Sequence, residues 1–154
     1  MPATVSARLL PQQPSRAIVL ELEVGAEGSE LRLRPIGPKD RLYRKHFLNL
    51  EGCGVRDLCF AGNDLLVLAG PTMALDGAIR LHRWQMPDGT ADTITDEDGC
   101  RAVLDVPWRR GADRAEGIVM LPAANELLVV YDSPAEDRKH GLAGVDADFF
   151  ALPG

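Results

Sequence analysis

Alternation of apolar and polar residues is the main signal along this chain. In Ala17–Val24 the even positions are all apolar, and two glutamates stand among the odd ones. A period of two predicts a half-buried β-strand, because successive side chains of a strand point to opposite faces. Leu31–Ile36 and Lys45–Leu50 predict two further strands, and Gly25–Gly28 predicts the turn after the first.

A second group of strands is apolar throughout, which is typical of strands that are covered on both faces. These runs are Leu65–Ala69, Ile118–Leu121 and Leu127–Tyr131. Turn residues precede two of them, Gly62-Asn63 and Ala124-Asn125, and predict tight hairpins. No long segment has the 3.6-residue period of an amphipathic helix, so the sequence predicts no substantial helix.

The predicted strands repeat along the chain. Leu65 and Leu127 stand at the same place in two similar hairpins, about 60 residues apart. Strands of mixed character follow each hairpin, and earlier strands fit the same positions of a preceding unit. The mixed strands are Ala78–Met86, Arg101–Val106 and Asp146–Leu152, and the earlier ones are Ala17–Val24 and Lys45–Leu50. Each repeating unit is predicted to have four strands. The chain would then contain strands three and four of one unit, all four strands of a second unit and the first three strands of a third.

Apolar inner strands and mixed outer strands predict an all-β fold of antiparallel four-stranded repeats, like part of a β-propeller. The alternative is an ordinary β-sandwich. We expect a flexible N-terminal segment over residues 1–16 and a domain of about two and a half blade units over residues 17–154. Propellers typically close with about 4–8 blades, so we expect a second copy of the chain to cover the exposed blade faces.

The amino-acid composition limits the classes of molecule that the chain is expected to bind. Acidic residues outnumber basic ones 23 to 17, for a net charge of −6, and aromatic residues make up 5% of the chain. This composition argues against nucleic acid and anionic membranes as partners. The three cysteines contain no C-x-x-C pair and predict reduced thiols rather than a zinc site. The chain has no signal-peptide pattern, so we predict a cytoplasmic location.

The strongest site candidate is the stretch Asp113-Arg114-Ala115-Glu116-Gly117, which comes just before an inner strand. In the preceding unit the corresponding position holds Arg56, followed by Asp57. Loops at this place of a propeller meet at the central channel, so their charged side chains would hold a cation or an anionic ligand. The alternative is structural, with Arg56 and Glu116 paired across neighbouring units and Gly117 allowing close packing.

Two further acidic residues, Asp76 and Asp132, follow the second strands of their units beside turns. They are either ligands or turn residues whose side chains bond their own backbone. The predicted ligand-binding set is therefore Arg56, Asp57, Asp76, Asp113, Glu116 and Asp132, with no catalytic residue and no metal ligand assigned. Asp92–Gly99 departs from an EF-hand loop and predicts a solvated acidic loop.

Four segments carry a family resemblance: Tyr43–Leu48, Gly54–Leu58, Leu66–Met73 and Val129–Pro134. They resemble the C-terminal half of a bacterial family known only as domain of unknown function 3616, over about Arg16–Pro153. The resemblance implies a propeller-like fold with further blades upstream, and it implies no activity. The family's usual string has His and Pro where this chain has Arg114 and Ala115, which weakens a metal or general-base role. Glu116-Gly117 also resembles the metal-ligand end of calcium-dependent lactonase and phytase-like propellers.

Three functions remain open from the sequence. The leading interpretation is a module that binds a small molecule or a protein. The first alternative is a metal-assisted hydrolase of phosphate esters or lactones, with Glu116, Asp113 and Arg56 at the channel mouth. The second is a scaffold for protein–protein interaction. We predict no cofactor, and a divalent cation such as calcium is the alternative.

Overall fold

A computed structural model of the protein describes residues 16–72, 77–108, 113–121 and 123–152. It confirms the predicted all-β class: within these ranges the helical segments are two 3₁₀ turns, Pro38–Asp40 and Glu136–Arg138. None of the helical segments described is long and apolar enough to cross a membrane. In chain order the strands are β1 (Ala17–Glu21), β2 (Glu23–Glu27), β3 (Glu30–Arg34), β4 (Arg44–Leu48), β5 (Gly54–Ala61), β6 (Asp64–Gly70), β7 (Ile79–Gln85), β8 (Thr93–Thr95), β9 (Cys100–Val106), β10 (Arg114–Leu121), β11 (Glu126–Asp132) and β12 (Asp148–Ala151).

The strands form three sheets and a separate hairpin. The central sheet has the order β5-β6-β7-β9 and is antiparallel throughout. The third sheet, β10-β11-β12, repeats the first three strands of that order. The first sheet contains β1 and β4 as an antiparallel pair, with β8 beside β4, and β2 pairs with β3 alone. The order of strands in the predicted repeat is therefore confirmed.

Strand β6 is buried on both faces of the central sheet, which explains why it carries no polar side chain after Asp64. Leu66 and Leu68 belong to one apolar cluster together with Leu127 and Val129 of the third sheet. Leu65, Val67 and Ala69 belong to a second cluster, together with Val19 and Leu48 of the first sheet. Each of the buried leucine and valine side chains contributes roughly 1.5–3 kcal/mol when it leaves water. This stack of sheets is consistent with part of a propeller and with a sandwich.

The predicted strand Ala17–Val24 is divided in two. The chain leaves the first sheet at Leu22, and β2 then pairs with β3 in the hairpin. The turn comes later than predicted, at Gly28-Ser29, where Gly28 has a φ of 63°. Alternation continues across the break, but the predicted burial is reversed. The apolar even positions are exposed, with Ile18 at 58% and Leu20 at 55%, and Val19 on the opposite face of β1 is the buried residue. Period two therefore does not reveal where one strand ends and the next begins.

Strand β8 lies inside the segment that was predicted to be a solvated acidic loop, and for Thr93–Thr95 that prediction is wrong. These residues pair in parallel with β4, whose His46 is fully buried. His46 Nδ1 lies 2.8 Å from the Thr93 hydroxyl, and Nε2 lies 3.0 Å from Glu21 Oε2. A buried imidazole needs polar partners on both nitrogens, and the loop supplies one of them. The connection between β7 and β9 thus adds a strand to the preceding sheet.

Candidate functional site

The first strands of two neighbouring sheets, β5 and β10, lie against each other and carry matching β-bulges. Pairing of β5 with β6 shifts register between Val55 and Asp57, and pairing of β10 with β11 shifts between Ala115 and Gly117. The extra residue of each bulge is therefore Arg56 in β5 and Glu116 in β10. A bulge leaves its extra residue out of the ladder and redirects its side chain. Both side chains consequently point into the space between the two strands.

Arg56 and Glu116 form an ion pair across the two sheets. The Arg56 Nη2 group also donates a hydrogen bond of 2.8 Å to the carbonyl oxygen of Pro71. Its Nε atom lies in the space that a side chain on Gly70 would fill, so glycine is required there to leave room for the Arg56 side chain. The Arg56 side chain is 13% exposed, and burial and the nearby Arg114 lower its pKa from the ordinary arginine value.

A cavity of about 370 Å³ opens beside this ion pair. It is lined by Gly54, Val55, Arg56, Gly70, Pro71, Thr72 and Glu116. The wall carries one guanidinium, one carboxylate and one hydroxyl, and its glycines bring the backbone close to the cavity. A concave site with a few fixed polar groups is the usual form of a small-molecule site. Sequence reasoning found the two charged residues but not Gly70 or Thr72, which become neighbours only through the β5–β6 pairing.

Asp57 connects the third sheet to the central sheet through a hydrogen bond. Its Oδ2 atom accepts a hydrogen bond of 2.7 Å from the Ile118 N–H, and Oδ1 accepts one of 2.8 Å from the Leu58 N–H. Gly117, beside Ile118, lets the β10 backbone lie close to the Val130 side chain, since a Cβ there would lie 2.6 Å from Val130 Cγ2. Both oxygens of Asp57 therefore have backbone partners, and Asp57 is not among the residues that line the cavity beside Arg56.

Asp113 is fully buried and lies in a separate cluster with Arg138, Tyr131 and the partly exposed Asp148. It accepts hydrogen bonds of 2.8 Å from Arg138 Nε and 3.1 Å from the Ala135 N–H. Arg138 Nη2 donates to Asp148 at 2.7 Å, and the guanidinium carbon lies 3.7 Å from the centre of the Tyr131 ring. Hydrogen bonding to Asp148 raises the pKa of Arg138, and burial raises that of Tyr131. No sequence pattern indicated this cluster, because Arg138 follows two acidic residues in a polar turn.

The remaining predicted residues do not join the cavity. Asp132 is exposed, and its Oδ1 accepts a 2.9 Å hydrogen bond from the Ser133 N–H, as a turn residue would. Asp76 lies outside the described residues. In the part of the chain that the structure describes, no three His, Cys, Asp or Glu side chains are grouped to hold a metal ion. The structure therefore brings Arg56 and Glu116 together and keeps Asp113 elsewhere.

The fold and the cavity define an all-β protein of stacked, mainly antiparallel sheets with a polar cavity between the first strands of two of them. The model of a protein family of unknown function, DUF3616, matches residues 11–148. The chain therefore belongs to this family, as its sequence resemblance indicated. No curated protein and no solved structure matches the chain.

Proposed function

We propose that the chain is a binding module for a small neutral molecule rich in hydroxyl groups, such as a sugar or polyol. The observation that carries this proposal is the pair of matched bulges, which aims Arg56 and Glu116 into one cavity of about 370 Å³. That volume lies within the usual range for small-molecule sites, about 300–1,000 Å³.

The charge balance of the wall favours a neutral ligand. Arg56 and Glu116 neutralise each other, so an ionic ligand would have to break an existing pair before it gained a new one. A hydroxyl group can instead donate to the carboxylate and accept from a backbone N–H or a side-chain hydroxyl. Thr72 supplies such a hydroxyl at the same wall.

The ion pair also prepares the site for such a ligand. Because Arg56 bonds both Glu116 and the carbonyl oxygen of Pro71, the carboxylate is held in place before a ligand arrives. A group that is fixed in advance loses little conformational freedom on binding, which favours affinity.

The test is a titration of the ¹⁵N-labelled full chain with glucose, mannose and glycerol, with inorganic phosphate as the anionic comparison. We expect saturable amide shifts concentrated at Gly54, Gly70 and Thr72 with at least one neutral probe. Glu116→Gln should weaken these shifts at least several-fold, whereas Asp132→Asn, which changes an exposed residue outside the cavity, should leave them unchanged. Shifts with phosphate alone, or shifts that Glu116→Gln does not alter, would overturn the proposal.

A further inference from the structure

The outer edge of strand β4 is covered by a segment that adds nothing to the apolar core. Strand β8 pairs in parallel with β4 over three residues, Thr93–Thr95. Parallel pairing is slightly less stable per residue than antiparallel pairing. Among the described residues from Asp88 to Gly99 none is buried, and the large apolar side chain in this stretch, Ile94, is 69% exposed. Polar contacts therefore hold the segment on the β4 edge.

The segment and the edge that it covers carry opposite charges. The connection between β7 and β9 contains five acidic residues and no basic one. Asp92 forms an ion pair with Arg41 and accepts a hydrogen bond of 2.9 Å from the Lys45 N–H. The hydrogen bond from Lys45 and the charge of Arg41 hold the pKa of Asp92 below its ordinary value. Further along, Arg16 lies 3.5 Å from Asp96. The β4 edge is therefore suited to an acidic segment.

One contact adds a requirement for a hydroxyl group. The His46 side chain is fully buried, and its Nδ1 atom lies 2.8 Å from the Thr93 hydroxyl. Glu21 lies 3.0 Å from the other ring nitrogen. A buried imidazole that loses one of these partners costs free energy, so a segment that replaces β8 has to supply a polar group at this place. The edge thus specifies an extended acidic segment in which threonine or serine follows an aspartate.

We propose that the β4 edge is a recognition site for an extended acidic segment of another protein, and that β8 occupies this site as an internal competitor. The bound segment would lie parallel to β4, as β8 does, with its aspartate and hydroxyl residue at the positions of Asp92 and Thr93. Strand addition at a sheet edge is a common form of peptide recognition, in which the backbone supplies affinity and the side chains supply specificity. This inference is independent of the ligand proposed above.

The experiment opens the edge in the full chain and offers the segment as a separate peptide. Thr93→Pro removes both the backbone N–H and the hydroxyl of this residue, so β8 should leave β4. The probe is a fluorescein-labelled peptide with the sequence of residues 90–98, and its binding is followed by fluorescence anisotropy. We expect saturable binding to the Thr93→Pro chain and at least several-fold weaker binding to the unchanged chain, where β8 competes. Salt at about 0.5 M should weaken the binding several-fold, because it screens exposed ion pairs.

Two controls distinguish this site from general attraction to an acidic peptide. A peptide of the same composition in scrambled order should bind at least several-fold more weakly. Arg41→Gln, added to Thr93→Pro, should weaken the binding several-fold, because it removes the ion pair with the aspartate of the peptide. Arg32→Gln is the matched variant, since the ion pairs of Arg32 lie within the β2–β3 hairpin, and it should leave the binding unchanged.

A second measurement uses the unchanged chain, in case Thr93→Pro loses the native circular dichroism spectrum. An excess of the peptide should increase hydrogen exchange at the β8 amides and leave the β4 amides protected, because one segment replaces the other. Exchange at β8 that the peptide does not alter would overturn the proposal. So would a natively folded Thr93→Pro chain that does not bind the peptide, equal binding of the scrambled peptide, or equal affinity of the unchanged and Thr93→Pro chains.

Discussion

Replacing Arg138 should destabilise the protein strongly, because the residue is buried among charged partners. The change Arg138→Met keeps an unbranched side chain against Tyr131 but removes the charge and the donors to Asp113 and Asp148. Asp113 is fully buried, so its carboxylate would lose charged hydrogen bonds without gaining water. Breaking a buried ion pair from one side costs about 3–5 kcal/mol. For a chain of this size, that loss lowers the melting temperature by roughly 6–20 °C.

Urea unfolding at pH 7, followed by circular dichroism, measures this loss directly as a change in the free energy of unfolding. Lys139→Met is the matched control: the neighbouring residue carries the same charge, but its ion pair with Glu136 is exposed. Such a pair contributes about 0–1 kcal/mol, so this variant should remain close to the unchanged chain. The double variant Asp113→Leu/Arg138→Met should recover part of the loss, because it no longer buries that carboxylate. A loss below about 1 kcal/mol for Arg138→Met would refute the reasoning.

Three further outcomes follow from the site and the core. Burial lowers the pKa of His82 below its ordinary value of 6.5, so the unfolded chain binds more protons and stability should fall as pH drops through 6.5. A His82→Gln variant should show a flatter dependence of the urea midpoint on pH. Burial raises the pKa of the Cys100 thiol to about 11. A thiol reagent at pH 8 should therefore modify the half-buried Cys53 first and Cys100 only on unfolding. Equal rates of modification of Cys53 and Cys100 in the native state would contradict this. Gly70→Ala should displace the Arg56 guanidinium and weaken the amide shifts caused by the neutral probe that binds, and shifts of unchanged size would contradict the assigned cavity wall.

The strands and their repeat were predictable because burial on one or two faces leaves a direct pattern in the sequence. The run Leu65–Ala69 indicated a strand covered on both sides, and β6 is such a strand. The break at Leu22 was not predictable, because the alternation that marks a strand continues unchanged into the hairpin. Strand β8 was also missed, since three residues between acidic turns carry too short a pattern, and their pairing partner is distant in sequence.

Part of the candidate site was predictable because the repeat leaves a pattern in the sequence. Aligning the repeats placed Arg56 and Glu116 at corresponding positions, and their bulges bring them together. The same alignment grouped Asp113 with them, yet its side chain bonds Arg138, which lies 25 residues further along the chain. Repeat alignment indicates which strand end a residue occupies. It does not indicate in which direction the side chain points, because that direction depends on contacts with residues that are distant in sequence.

The small parallel strand β8 has a consequence for how the protein unfolds. It belongs by sequence to the second unit but by hydrogen bonding to the first sheet, where Thr93 contacts His46. The first sheet therefore keeps its full set of strands only while the connection from β7 to β9 stays in place. Repeat proteins with contacts only between neighbouring units can lose a terminal unit separately. Here hydrogen exchange should protect β4 and β9 with similar opening free energies. The reason is that a strand of the first sheet lies in the connection between two strands of the central sheet, so the two sheets should open as a single cooperative unit.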